Sequence, residues 1–410
     1  MKIGIVTLPL HANYGGILQV YALQTVLERM GHRVALIDRT LYWGAGPVRR
    51  TLVYANRLLK MALGKKIDFF RERKADELRR IPRQYTDIFI RKHIHRRSVV
   101  LYSQVRRRDY DALVVGSDQV WRPLYFENTI GNAFLAFAEG WKIGRIAYAA
   151  SFGTDTWEYT PEETEECSRL AKSFDAVSVR EESGIALCRK YLGVDAVQTL
   201  DPTLLLQKDD YDALIDTCPA ETRCSGTPAE ARCSGSPAGT NDFRISAAPD
   251  VSKAPVIVCY ILDSTPEKMA VARNLSESLG MEAVSINSRY EDHSAPAEER
   301  IQPPVEYWLR SIRDAGFVLT DSFHACVFSI IFRKPFAVIG NEGRGMARFT
   351  SLLSEMGLTD RLIRPDISAE ALASLAKSAI DYDAVHAALA KLQRESLSFL
   401  ETALAKVRSL

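Results

Sequence analysis

Short apolar runs alternate with helical patterns twice along this chain, and this alternation limits the possible folds more than any other property of the sequence. The N-terminal runs are Lys2–Leu8, Arg33–Ile37, Ala112–Val115, Arg145–Ala149, Ala176–Val179 and Ala196–Thr199. The C-terminal runs are Val256–Leu262, Glu282–Ile286, Phe317–Thr320 and Phe336–Ile339. Strands that alternate with helices form mainly parallel sheets, so the pattern predicts an α/β protein with two Rossmann-like domains facing a cleft.

The chain has 410 residues, which is more than one ordinary hydrophobic core supports. We predict an N-terminal domain over residues 1–205, a linker over 206–255, a C-terminal domain over 256–375 and a helical segment over 376–410. The linker holds a tandem repeat, since Glu221–Ala229 is almost duplicated as Glu230–Ala238. The repeat is rich in Gly, Pro and Ser, which is typical of a flexible linker or a surface loop.

The charge distribution is uneven although the net charge is only +2. The stretch from Arg39 to Arg108 holds 20 Lys and Arg against 5 Asp and Glu, together with several aromatic residues. Its pattern is helical, so we predict a basic helical insertion over residues 40–108. Such a surface fits contact with an anionic membrane, and a solvated helical face or a nucleic-acid contact are the alternatives. We expect no nucleic-acid partner.

The sequence gives no sign of export or of membrane insertion. The start, MKIGIVTLPL, lacks the features of a signal peptide, and no apolar run approaches the roughly 18 residues of a membrane helix. Cys259 and Cys326 lie in apolar runs and are predicted to be reduced. We therefore expect a cytoplasmic protein, with the inner face of the cytoplasmic membrane as the place where the basic insertion would bind.

Two N-terminal loops that follow strands carry candidate binding residues. Asn13-Tyr14-Gly15-Gly16 starts a helix that also contains Gln19, and paired glycines let backbone N–H groups approach a ligand. Ser117-Asp118, with Trp121 three residues later, offers hydrogen bonds and an aromatic face for a sugar. The alternatives are a tight turn without a ligand in the first loop and simple helix capping in the second.

Two further strand ends carry basic residues. Arg180 ends a strand, where an arginine can hold a carboxylate or a phosphate, or can pair with a neighbouring glutamate. Asp321, Ser322 and His324 lie where a strand passes into an apolar helix, and the start of a helix attracts anions. A histidine there can bind an anion and transfer a proton, or it can be satisfied within the domain packing.

Several common sites are not supported. GxGxxG, P-loop, GxSxG and HExxH patterns do not occur, so neither dinucleotide nor ATP binding is indicated. His93 and His95 have no nearby acid or cysteine to complete a metal site. We expect neither a metal nor a cofactor.

Taken together and in order, these segments resemble the polysaccharide pyruvyl transferase family. The similar stretches are Asn13–Gln24, Val115–Trp121, Tyr148–Gly153, Ser178–Glu181, Leu200–Leu205 and Leu319–Ala325, followed by Arg348 with Phe349. The resemblance spans nearly the whole chain except the basic insertion and the tandem repeat. One departure is that many members carry an arginine two residues before the histidine, where this chain has Ser322.

The resemblance implies a glycosyltransferase-B-like fold, with an N-terminal acceptor domain and a C-terminal donor domain. It implies phosphoenolpyruvate as co-substrate and a sugar acceptor, in capsular or exopolysaccharide biosynthesis. Arg180 and His324 would contact the donor. Because of the departure at Ser322, we predict that Arg344 or Arg348 supplies the second basic group.

The expected reaction forms a cyclic pyruvate ketal on a sugar of a lipid-linked or polysaccharide repeat unit. We expect His324 to supply the proton, and Asp118 or Asp321 to assist the sugar hydroxyls. The residues assigned to the acceptor are Asn13, Tyr14, Gly15, Gly16, Gln19, Ser117 and Trp121. A nucleotide-sugar-dependent glycosyltransferase of the same fold, or a non-catalytic member that binds a glycan, is the alternative.

Overall fold

The computed structural model describes residues 1–39, 71–126, 130–218, 255–341, 343 and 345–408. The tandem repeat of the linker, the first part of the predicted basic insertion (40–70) and the donor candidate Arg344 therefore lie outside the described residues.

The N-terminal domain is built on a seven-stranded parallel sheet in the order β3-β2-β1-β4-β5-β6-β7. Its strands are β1 (Lys2–Val6), β2 (Arg33–Arg39), β3 (Arg96–Val99), β4 (Ala112–Val115), β5 (Gly144–Ala150), β6 (Ala176–Val179) and β7 (Val197–Gln198). Every residue of β4 and β5 is buried, as expected for central strands covered by helices on both faces.

The C-terminal domain contains a five-stranded parallel sheet in the order β12-β11-β10-β8-β9. Its strands are β8 (Ile257–Tyr260), β9 (Ala283–Ser285), β10 (Phe317–Thr320), β11 (Phe336–Ile339) and β12 (Leu362–Ile363). The two parallel sheets confirm the predicted α/β class with two Rossmann-like domains in a glycosyltransferase-B-like arrangement.

The helices cover the sheets. They are α1 (Tyr14–Arg29), α2 (Arg71–His93), α3 (Pro161–Ala171), α4 (Glu182–Leu187), α5 (Lys208–Asp216), α6 (Pro266–Leu279), α7 (Ala297–Arg300), α8 (Val305–Asp314), α9 (Phe323–Ile331), α10 (Ala347–Glu355), α11 (Ala369–Lys377) and α12 (Tyr382–Arg408). Side-chain caps start several of them. Asn13 caps α1, and Thr160 forms a capping box with Glu163 at α3.

The predicted helical insertion ends earlier than expected. Residues 71–93 form α2, but Arg96–Val99 forms β3, which pairs with β2 at the edge of the sheet. Arg96 lies 2.8 Å from Asp38, so a basic strand is tolerated at an edge where its charges are paired or exposed.

The two domains contact each other through aromatic packing and hydrogen bonds. The Tyr14 ring stacks on Trp308, with 5.1 Å between ring centroids, and the Tyr14 hydroxyl donates to the Pro303 carbonyl at 2.8 Å. Gln302 Nε2 donates to the Ala12 carbonyl at 3.0 Å. Tyr14 therefore serves the interface between the domains.

The last helix, α12, returns from the C-terminal domain and packs on the N-terminal sheet. The Leu200 amide donates to Ser396 Oγ at 3.0 Å, and Gln393 Nε2 donates to the Leu204 carbonyl at 2.6 Å. A Cβ atom on Gly144 would lie 2.3 Å from Val407, so only glycine permits this close approach.

Two further observations concern the described part of the chain. Cys259 and Cys326 are buried and not in disulfides, as the sequence predicts. Among the helices in the described ranges, none is both long and apolar enough to span a bilayer.

We expect Leu400→Ala in α12 to lower the free energy of unfolding by about 2 to 5 kcal/mol, because the fully buried side chain would leave a cavity. The matched control is Leu124→Ala, whose side chain is 68% exposed and whose loss should cost within about 0.5 kcal/mol. Urea unfolding followed by tryptophan fluorescence measures both. Equal effects would show that α12 does not stabilise the N-terminal domain.

Candidate functional site

Loops from both sheets meet at one place between the domains. The strand order reverses between β1 and β4 in one sheet and between β8 and β10 in the other, and such switch points bind ligands at the carboxyl ends of strands. A pocket of about 120 Å³ lies there. Its lining includes Asn13, Gly15, Asp118, Gln119, Tyr125, Tyr260, Tyr290, Asp321, Ser322, Phe323, His324 and Arg348.

His324 enters this site from the first turn of α9. Its ring packs against Gly15 at the start of α1, where a Cβ atom would lie only 2.0 Å from Nδ1. Its Nε2 atom lies 3.6 Å from Asp201 Oδ2. The histidine of one domain is therefore held between a glycine and a carboxylate of the other.

Asp201, in the loop after β7, is a buried carboxylate that accepts several hydrogen bonds. Its Oδ2 accepts hydrogen bonds from Arg180 Nη1 at 2.6 Å and from Ser117 Oγ at 3.0 Å. Its Oδ1 accepts from the Thr203 amide at 3.0 Å and the Thr203 hydroxyl at 2.7 Å. Burial alone would raise the pKa of Asp201, but His324 and Arg180 outweigh it and hold that pKa well below its ordinary value. Asp201 is thus an anion at neutral pH.

Two guanidinium groups lie over the ring of Phe323, Arg180 at 4.7 Å and Arg348 at 5.3 Å from the ring centroid. Burial, followed by repulsion from Arg180, lowers the pKa of Arg348 to about 10. Within the described ranges, Arg180 Nε and Nη2 and His324 Nε2 are buried without a hydrogen-bond partner. The two Arg180 nitrogens are suited to an anionic ligand, while His324 Nε2 faces Asp201.

Asp118 follows β4 in a left-handed backbone conformation, with φ of 77°. Its Oδ1 accepts from the Gln119 amide at 2.8 Å and lies 4.0 Å from Arg180 Nη2. A non-glycine residue with this φ is uncommon and is found often at functional sites. The conformation places the Asp118 carboxylate at the pocket, beside the two arginines.

The start of α1 contributes two lining residues, Asn13 and Gly15. Asn13 Oδ1 accepts from the amides of Gly15 at 2.9 Å and Gly16 at 3.3 Å, so these amides are occupied by the cap. Gln19 is buried, and its Nε2 donates to the Gly16 carbonyl at 3.1 Å. Gln19 therefore stabilises the backbone of this loop through a hydrogen bond.

Trp121 does not reach the pocket. It is fully buried, its Nε1 donates to the Ala133 carbonyl at 3.1 Å, and its ring stacks on Phe134 at 4.7 Å. The sequence shows an aromatic residue after a strand, but the structure places it in the core, with no face open to a sugar. The aromatic residues that line the pocket were not predicted; they are Tyr125, Tyr260, Tyr290, Trp308 and Phe323.

Asp321 holds loops together. Its oxygens accept from the amides of Leu262 at 2.6 Å and Asp263 at 3.2 Å, from Lys268 Nζ at 2.6 Å and from Asn341 Nδ2 at 3.2 Å. Four donors occupy this carboxylate, which leaves it poorly placed to activate a hydroxyl. In this structure it fixes the loops after β8, β10 and β11 around the pocket.

Ser322 lines the pocket as the N-cap residue of α9, without a side-chain cap bond. Asp201 and Phe323 are central to the site but were not predicted. The signal for Asp201 was that it is a polar residue in a loop that follows a strand. Across the described ranges, no three His, Cys, Asp or Glu residues cluster as metal ligands would.

Comparison with models of known families identifies one family. The family model described as Polysaccharide pyruvyl transferase matches residues 13–343. No curated protein matches the chain.

Three solved structures with similar folds have low sequence identity to this chain. A UDP-GlcNAc 2-epimerase from Neisseria meningitidis bound to UDP-GlcNAc is 10% identical, covers 99% of this chain and 100% of its own, and has a TM-score of 0.47. Apo UGT2 of Phytolacca americana is 12% identical; the match covers 99% of this chain and 99% of that protein, with a TM-score of 0.44. The spinosyn rhamnosyltransferase SpnG is 14% identical; the match covers 98% of this chain and 99% of that protein, with a TM-score of 0.39. The fold assignment rests on the two sheets described above.

The contact between Gly15 and His324 gives a direct test of the site geometry. We expect Gly15→Ala to lower the melting temperature, because the new methyl group would overlap the imidazole and such overpacking costs about 1 to 3 kcal/mol. Gly16→Ala is the matched control, since the same substitution there places the methyl group at an ordinary 3.6 Å from Asp118. Thermal unfolding followed by circular dichroism compares them, and equal melting temperatures would contradict the packing described.

Proposed function

The chain belongs to the polysaccharide pyruvyl transferase family, and from this premise we propose that it transfers the pyruvyl group of phosphoenolpyruvate onto a sugar and releases phosphate. We propose further that the product is a cyclic pyruvate ketal on a lipid-linked or polysaccharide repeat-unit sugar, made for a capsule or an exopolysaccharide.

The observation that carries this proposal is the set of buried cationic groups around Phe323. Arg180 and Arg348 lie on its ring, and His324 is the next residue. Arg180 is paired with Asp201 through one nitrogen, and its two nitrogens without a hydrogen-bond partner can donate to the carboxylate or phosphate of phosphoenolpyruvate. The first turn of α9 adds backbone N–H groups that favour an anion.

The position of Arg348 supports its role as the second basic donor group. The family often has an arginine where this chain has Ser322, and the Ser322 side chain carries no charge. Arg348 reaches the same pocket from α10 and lines it together with Ser322. We propose that Arg348 replaces the missing arginine.

The proposed chemistry needs one proton donor and two hydroxyl groups. His324 protonates the methylene carbon of phosphoenolpyruvate, and a sugar hydroxyl attacks the adjacent carbon. Phosphate then leaves with its bonding electrons, and a second hydroxyl closes the ketal. Of the two hydroxyl protons, one restores His324 and the other leaves with phosphate. Asp118, at the pocket wall, assists the attacking hydroxyl.

The first test is calorimetric titration with phosphoenolpyruvate. We expect wild-type protein to bind it, and His324→Ala to bind at least about tenfold more weakly, because a charge-assisted hydrogen bond contributes about 1.5 to 3 kcal/mol. The matched control is His95→Ala, a histidine whose side chain is 67% exposed on the N-terminal domain. UDP-sugars serve as control ligands.

The outcomes separate the alternatives. Binding of phosphoenolpyruvate that only His324→Ala weakens would support the donor site. A response to a UDP-sugar alone would favour the glycosyltransferase alternative. No response to either ligand would favour a non-catalytic protein that binds a glycan.

We also propose a peripheral contact with an anionic membrane, which would bring the site to a lipid-linked acceptor at the cytoplasmic face. The supporting surface lies on α2 and after β3. Exposed cations are Arg80, Arg91, Lys92, Arg96, Arg106, Arg107 and Arg108, and exposed apolar side chains are Ile88, Val100 and Leu101. Cationic side chains near an anionic bilayer contribute about 1 kcal/mol each.

We expect the protein to sediment with vesicles containing phosphatidylglycerol and to stay in solution with phosphatidylcholine vesicles. Arg80→Ser combined with Arg91→Ser should reduce the bound fraction, because it removes two cations beside Ile88. Arg189→Ser with Arg364→Ser is the matched control, since these exposed arginines lie elsewhere. Equal partitioning onto both vesicle types would refute the membrane contact.

A further inference from the structure

We propose that Asp201 is a positioning residue that orients the imidazole of His324 and stabilises the positive charge of its proton-donating form. This inference rests on the proposed role of His324 as the acid, and it adds a residue that the resemblance does not assign. Asp201 belongs to the N-terminal domain and His324 to the C-terminal domain, so the pair exists only when the two domains are in contact.

The geometry of Asp201 is set by other residues, independently of His324. Thr203 holds Oδ1 with two hydrogen bonds, at 3.0 and 2.7 Å. Arg180 and Ser117 hold Oδ2 at 2.6 and 3.0 Å. The carboxylate is thus fixed before the imidazole meets it, with Oδ2 facing Nε2 at 3.6 Å.

Asp201 is one of two acidic groups that offset the arginines around His324. From the N-terminal domain, Asp201 and Asp118 are the acidic groups near it and Arg180 is the basic one. From its own domain, Arg348 contributes a second guanidinium through the ring of Phe323. Without Asp201 the imidazole would face two arginines with one carboxylate left, an arrangement that disfavours a positive charge.

The two nitrogens of the His324 ring have different neighbours. Nε2 is directed at Asp201, while Nδ1 lies at Gly15, a residue of the pocket wall. Nε2–H would therefore stay on the ring, facing Asp201. Asp201 exchanges no proton; it orients the ring and stabilises its charge.

The test follows the imidazole signals of ¹⁵N-labelled, ligand-free protein by NMR over a range of pH. The chain has 7 histidines, and the His324 signals are those missing from His324→Gln. We expect Asp201→Asn to take up the His324 proton at least about one pH unit lower than wild type, since an opposite charge within 4–6 Å has an effect of this size. The control is Thr203→Val, which removes one hydrogen bond to Asp201 but keeps its charge.

A second variant tests the same pair if Asp201→Asn fails to fold, because in Arg180→Gln the Asp201 carboxylate keeps its hydrogen bonds from Ser117 and Thr203. Arg180→Gln keeps the carboxylate and removes the competing cation, so the His324 proton should be taken up at higher pH. Shifts in opposite directions, with the other histidines unchanged, support the inference. An unmoved His324 signal in either folded variant would overturn it.

This measurement is independent of the proposed reaction, because no ligand is present. If the shifts occur but phosphoenolpyruvate does not bind, the Asp201–His324 pair stands and the donor assignment fails. If phosphoenolpyruvate binds but the shifts are absent, the donor site stands and Asp201 has only a structural role.

Discussion

The buried ion pair between Arg180 and Asp201 is the interaction on which the rest of the site depends. Both side chains are almost completely buried, and their charged atoms lie 2.6 Å apart. Breaking a buried ion pair by removing one partner costs about 3 to 5 kcal/mol, so each residue depends on the other. The pair connects the loops after β4, β6 and β7, since Ser117 and Thr203 bind the same carboxylate. It thereby fixes one wall of the cleft before any ligand arrives.

Close approach of the two domains requires glycine at the points of contact. Gly15 leaves room for the imidazole of His324, and a Cβ atom on Gly345 would lie 1.9 Å from the Gly153 carbonyl oxygen. Gly345 and Gly153 also have positive φ values, of 93° and 75°. The site is therefore assembled from two rigid sheets through backbone contacts, while the stacked rings of Tyr14 and Trp308 hold the distance between them.

The sequence predicts the sheets well and the side-chain directions poorly. Strands β4, β6, β10 and β11 match the predicted bounds, because largely apolar runs with clear stops mark buried elements. The basic strand β3 was missed, since its charges are paired through distant residues such as Asp38. Trp121 and Asp321 lie at the predicted strand ends, but their partners, Ala133 and Lys268, come from segments whose proximity no local pattern shows.

The replacement at Ser322 becomes reasonable once the charges near it are considered together. Arg180 and Arg348 already flank Phe323, and burial with repulsion lowers the pKa of Arg348 to about 10. A third guanidinium at position 322 would add repulsion in a space with two nearby carboxylates, Asp118 and Asp201. In the proposed arrangement, a neutral serine at position 322 leaves the site with two guanidinium groups, one of which α10 supplies through Arg348.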